Sequence, residues 1–186
     1  MSLQRPEGAL QRRVWRHRSD RRSLRWLWLA GVTLCAAALA DTSYDLLARE
    51  APDFALHALA GGNVRLSEHR GDVVILSFWG SRCTPCRAQL AALNRTLGTY
   101  RSAGLQVYGI NVDDDQTRAV AYGKSETVSY PLLLDPGKSV ARSYRVDNLP
   151  MTLLIDRNGV IRNVYRDYNA RSEESYMRQL RVLLNE

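Results

Sequence analysis

Beyond about residue 50, the apolar positions alternate between strand-like runs and stretches of helical spacing. Asp72-Val73-Val74-Ile75-Leu76-Ser77-Phe78-Trp79 is almost unbroken β-branched and aromatic sequence, which predicts a central strand covered on both faces. Gly80 and Ser81 break that run, and Pro85 to Tyr100 then carries Leu90, Leu93 and Leu97 at helical spacing. A second strand is expected over Leu105 to Val112, and a helix opening at Asp113-Asp114-Asp115, where acids complement the positive helix N-terminus. Tyr130 to Leu134 reads as a short strand and Lys138 to Tyr144 as a short helix. Met151 to Asp156 and Val160 to Tyr165 read as a hairpin around Arg157-Asn158-Gly159. Ser172 to Leu184 reads as a closing amphipathic helix with Ser172 as its N-cap. Ahead of all this, Asp53 to Leu56 and Asn63 to Leu66 flank Gly61-Gly62 as a short hairpin. The order predicts a three-layer α/β fold around a mixed sheet with an antiparallel edge pair.

The front of the chain follows another pattern. Arg12 to Arg25 is arginine-rich, and the uncharged stretch Trp26 to Ala40 follows, ending in Ala38-Leu39-Ala40. This is the layout of an export signal, either cleaved before Asp41 or retained as a signal anchor. In both cases the arginines stay on the cytoplasmic side, and the rest of the chain is placed outside the membrane. Arg25 interrupts a twin-arginine reading of Arg21-Arg22, and Leu34 is too large for a lipoprotein box at Cys35. The expected organisation is a leader over residues 1–40, a linker over 41–50 and one folded domain over 51–186.

Charge sharpens that division. The chain has 186 residues and a formal charge of +7, but Met1 to Arg25 holds eight of its 26 Lys and Arg and only two of its 19 acids. From Asp41 onward 18 basic residues face 17 acidic ones, so the domain carries no footprint for nucleic acid.

The chain has three cysteines, of which Cys35 lies in the leader, leaving Cys83 and Cys86. Tetrahedral zinc needs two further ligands, and His57 and His69 are too scattered to supply them, so no metal and no cofactor is expected. The three consecutive aspartates point in different directions on a helix start and read as caps rather than ligands. Cys83 falls at a strand-to-helix junction, where helix amides favour the thiolate that attacks disulfides. Cys86, one turn in, is placed to resolve a mixed disulfide formed on Cys83, and Pro85 suits the helix start. The plainer alternative is a small structural disulfide or two packed thiols.

Phe78-Trp79-Gly80-Ser81-Arg82-Cys83-Thr84-Pro85-Cys86-Arg87 resembles the active-site segment of thioredoxin-like proteins of the TlpA/ResA/DsbE type. Ala51-Pro52-Asp53-Phe54, Leu132-Leu133-Leu134-Asp135, Leu149-Pro150-Met151-Thr152 and Leu154-Ile155-Asp156-Arg157-Asn158-Gly159 follow in the family's order. The resemblance implies a thioredoxin-like fold with a strand and helix inserted between about Asp113 and Leu134, a redox disulfide Cys83–Cys86, and a cis peptide before Pro150 facing the dithiol. It also implies supporting or substrate-binding positions at Trp79, Arg82, Thr84, Pro85, Leu149 and Met151. Three residues depart from the pattern: Arg82 stands where the family has Trp, Gln89 where relatives carry Glu, and Ser77 where cytosolic thioredoxins have a buried acid.

The function implied is an extracytoplasmic thiol-disulfide oxidoreductase that reduces client proteins and is itself kept reduced by a membrane thiol donor. Apocytochrome c and copper-assembly proteins are the clients that the resemblance suggests, which would place the chain in cytochrome c biogenesis or copper-site assembly. Two other classes stay open: a peroxiredoxin-like thiol peroxidase, although Pro-x-x-x-Thr-x-x-Cys is missing, and a Cu(I) carrier using Cys83, Cys86 and Met151.

Overall fold

The structure, a computed structural model, describes residues 46–186. The leader expected over 1–40, with Cys35, and the first half of the expected linker lie outside the described residues. The described part contains β1 (Ala55–Ala58), β2 (Asn63–Arg65), β3 (Val73–Trp79), α1 (Thr84–Tyr100), β4 (Leu105–Asn111), α2 (Gln116–Ser125), β5 (Leu132–Leu134), α3 (Ser139–Ser143), β6 (Met151–Ile155), β7 (Ile161–Tyr165) and α4 (Ala170–Leu184).

Seven strands form one mixed sheet in the order β2-β1-β5-β4-β3-β6-β7. Strand β3 is central, parallel to β4 and antiparallel to β6, and every one of its residues is buried. Alternation along it divides the core. Val74, Leu76 and Phe78 pack with Val140 and Ala141 of α3 and with Tyr144, its C-cap, while Val73, Ile75 and Trp79 lie under Leu90, Leu93 and Leu97 of α1 and Tyr176, Leu180 and Leu183 of α4. Each fully buried leucine of α1 contributes roughly 1.5–3 kcal/mol of burial, which fixes the helix that begins at the dithiol against the sheet. No helix among the described residues is long and apolar enough to cross a membrane.

The expected α/β fold is present, with three local corrections. The final helix begins at Ala170 rather than Ser172. Asn169 is its N-cap, accepting from the amides of Arg171 and Ser172, and the Ser172 hydroxyl accepts from the Asn169 amide to close a capping box. The first strand of the first hairpin is shifted towards the turn, Ala55–Ala58 in place of Asp53 to Leu56, while the second starts at Asn63 as expected and ends at Arg65. Residues 46–50, expected as linker, are attached to the domain. Leu46 is buried, Ala48 donates to the Ile161 carbonyl at 2.8 Å, and Glu50 bridges to Val160.

Candidate active site

Strand β3 ends at Trp79, and the chain turns through Gly80, Ser81 and Arg82 into α1, whose N-cap residue is Cys83. A Cβ at Gly80 would lie 3.1 Å from both Asp113 Oδ1 and Leu149 Cδ1, so the turn is closed in by its neighbours. The Cys83 amide donates to the Gly80 carbonyl at 3.0 Å, which brings the first cysteine to the helix start. Cys83 and Cys86 are joined as a disulfide with Cα atoms 5.3 Å apart. The two sulfur-bearing residues differ in exposure, since Cys83 is half-buried while Cys86 has no exposed surface.

Cys83 opens onto a groove of about 490 Å³ lined by Gly80, Arg82, Val112, Asp113, Lys138, Ala141, Val146, Asp147, Asn148 and Leu149. Arg82 and Leu149 thus meet Cys83 at one surface. Thr84 and Pro85 are exposed in the first turn of α1. The Leu149–Pro150 peptide bond is cis, and Pro150 is buried immediately before β6. Two of the expected supporting residues do not line the groove. Met151 is buried in the opposite core layer with its sulfur 3.8 Å from Arg166 Nη1, so it is not available to the groove. Trp79 is likewise fully buried, with its ring 5.5 Å from that of Tyr122.

The structure gives several residues partners that the sequence did not reveal. Asp113, expected as part of a cap, instead accepts a hydrogen bond from the Ser81 amide at 2.8 Å and one from Asn111 Nδ2 at 2.9 Å. The cap of α2 is Asp115, which accepts from the Arg118 amide, and Asp114 pairs with Lys138 at 2.8 Å. Beneath α1 the buried Ser77 hydroxyl donates to Gln89 Oε1 at 3.0 Å, and Gln89 Nε2 donates to the Thr152 hydroxyl. This uncharged chain joins β3, the dithiol helix and the strand that follows the cis proline. On the outer side, Arg87 pairs with the nearly buried Glu126 at 2.8 Å and lies 5.5 Å over the Tyr122 ring, fastening the inserted helix to the first turn of α1. Glu126 holds the Arg87 guanidinium even more firmly protonated than usual, and burial followed by the Glu126 charge pushes the Tyr122 hydroxyl upward. Among the described residues, no group of three or more His, Cys, Asp or Glu is placed to hold a metal ion.

Residues 47–164 match the model of the AhpC/TSA family. The chain belongs to that family. Within it, this AhpC/TSA protein has the thioredoxin-like fold of the TlpA/ResA/DsbE group. It is 30% identical over 134 residues to the thiol-disulfide oxidoreductase ResA of Geobacillus thermodenitrificans, covering 72% of this chain and 77% of the relative. The ResA of Geobacillus kaustophilus is 33% identical over 114 residues, or 61% of this chain and 66% of the relative. Among solved structures, a Chlorobium tepidum protein provisionally named thiol:disulfide interchange protein DsbE superposes with a TM-score of 0.71. Its identity is 32%, and the match covers 74% of this chain and 97% of that one. A thiol-disulfide oxidoreductase from Bacteroides fragilis superposes with a TM-score of 0.61 at 25% identity, covering 71% and 99%. This AhpC/TSA protein is a thiol-disulfide oxidoreductase, with protein cysteines as its class of partner.

Proposed function

We propose that the Cys83–Cys86 pair is the working dithiol and that it reduces disulfides of client proteins outside the cytoplasmic membrane. The observation that carries this reading is the unequal exposure of two bonded cysteines at one helix start. Cys83 faces the groove and is the nucleophile; Cys86 is wholly buried behind it and is the resolving thiol. The amides of the first turn of α1 favour the Cys83 thiolate. Attack on a client disulfide leaves Cys83 bonded to one client sulfur and releases the other as thiolate. Cys86 then displaces the client, which departs with both electrons, and the protein is left as the disulfide seen here. Leu149, held by the cis peptide to Pro150, forms part of the groove wall on which the client segment lies, and Arg82 forms the side next to Cys83, with Thr84 and Pro85 exposed beside it in the first turn of α1. Return to the dithiol requires a membrane thiol donor, and the arginine-rich leader supports a location on the outer side of that membrane, where disulfides persist. Apocytochrome c and copper-assembly proteins with paired cysteines fit as clients. No cofactor is needed, because the electrons move between sulfur atoms.

The test is the reduction potential of the pair in the full chain, equilibrated against glutathione and dithiothreitol buffers. A value well below about −200 mV is expected of a client reductant, and one near about −120 mV would make the protein an oxidant of folding chains instead.

A further inference from the structure

Four charged side chains line the groove beside Cys83: Arg82, Asp113, Lys138 and Asp147. Three of them are engaged within the protein. Lys138 lies 2.8 Å from Asp114, Asp147 pairs with Arg166, and the Asp113 carboxylate accepts from the Ser81 amide and the Asn111 side chain. Arg82 is exposed, immediately precedes Cys83, and has no hydrogen bond or ion pair with any described residue. The first turn of α1 contains no acid, and the three aspartates that line a second cleft with Arg82 are bonded elsewhere, Asp113 to Ser81 and Asn111, Asp114 to Lys138 and Asp115 to Arg118. Around it the lining is apolar, from Val112, Val146 and Leu149.

We infer that the groove selects client segments with an acidic residue next to the reactive cysteine, the carboxylate lying against Arg82 and an apolar neighbour against Val112, Val146 and Leu149. This specificity rests on the reading of Cys83–Cys86 as a reductant of client disulfides. The physical reason is the charge of the attacking group. A thiolate approaching a disulfide flanked by carboxylates meets like-charge repulsion, and a small dithiol in solution has nothing to offset it. A guanidinium one residue from the nucleophile offsets it, and its planar fork matches a carboxylate in two hydrogen bonds. The step itself is unchanged: two electrons pass from the Cys83–Cys86 dithiol to the client disulfide, leaving two client thiols and the protein disulfide.

The experiment uses two synthetic peptide disulfides that differ only in the residues flanking cysteine, Glu in one and Lys in the other. Full-length protein, reduced beforehand with dithiothreitol that is then removed, is mixed with each, and the acidic-to-basic rate ratio is divided by the same ratio for dithiothreitol alone. This normalised ratio cancels any effect of Arg82 on the reactivity of Cys83 itself. We expect it to fall by about two- to fivefold in Arg82→Gln, the effect of one exposed ion pair. It should drop below the Arg82→Gln value in Arg82→Glu, and the differences should shrink at about 0.5 M salt. Equal ratios in all three proteins would overturn the specificity and leave the reductase reading standing. Failure of the reduced wild type to act on either peptide would overturn both.

Discussion

The carboxylate of Asp113 and the backbone amide of Ser81 are 2.8 Å apart, so the residue just past β4 holds the loop that delivers Cys83. Asn111 braces the same carboxylate through its side-chain amide and accepts from the Asp113 amide at 3.0 Å. Strand, loop and helix start are thereby locked together on the side of the groove. Removing the acceptor in Asp113→Ala leaves the Ser81 amide without its partner and should cost about 1–3 kcal/mol in denaturant unfolding, with slower client reduction. Asp113→Asn retains an acceptor oxygen and should recover most of both. Indistinguishable Ala and Asn variants would show that the contact does not position the loop.

The two cysteines should fail differently. Among the described residues, Cys83→Ser removes the only sulfur that lines the groove, and it should abolish exchange. Cys86→Ser leaves attack intact and should accumulate mixed disulfides with clients, seen as higher-mass species on non-reducing gels and by mass spectrometry. Equal residual turnover in both variants would reverse or erase the assigned roles.

Gln89 is the middle of the uncharged chain from Ser77 to Thr152, and all three residues are buried. Gln89→Ala strands two hydroxyls and opens a void, and about 2–4 kcal/mol of destabilisation is expected from those two effects together. Gln89→Glu places a carboxyl in the same spot, where burial raises its pKa above the unfolded value of about 4.3. A raised acid pKa means that the folded state keeps the proton longer than the unfolded state. The variant should therefore lose stability relative to wild type as the pH rises above about 4.3. A difference that stays flat from pH 4 to 8 would show that the carboxyl finds compensation there.

Asp53 gives the opposite pH dependence. Its burial pushes the pKa upward, but the Ser67 amide and hydroxyl, the Phe54 amide and Arg65 outweigh it and hold the carboxyl below its ordinary value. A depressed acid contributes stability above its unfolded pKa and loses it as the pH falls through the folded one. Asp53→Asn should thus be less stable than wild type near pH 7, and the gap should narrow as the pH falls below the unfolded value of about 3.9. Melting curves above and below that value check this, and a gap of equal size at the two would remove the carboxylate's charge from the explanation.

How much of this was written in the sequence depends on the range of the interaction. The unbroken apolar run of β3 and the leucine spacing of α1 reported their elements directly, because burial on both faces or on one leaves a local pattern. The start of α4 was misplaced because Ser172 and Asn169 are both good capping residues. The structure uses both, one at the cap and one three residues inside. The role of Asp113 was hidden for another reason. A run of three acids before a helix looks like a single capping device, and only the fold brings Ser81, 32 residues away, to the first of them. The same holds for Gln89 and Thr152, 63 residues apart, and for Arg87 and Glu126, 39 apart. The family resemblance marked Ser77 and Gln89 as departures, but nothing in their neighbourhoods announced that they touch.

The complete burial of Cys86 bears on timing as well as on identity. No second client can reach its sulfur, so a segment bonded to Cys83 is released from within the molecule, by a thiol fixed one turn away. How long a client stays attached is then a property of one helical turn and the residues that clamp it. Adding more client would hasten capture and leave release untouched.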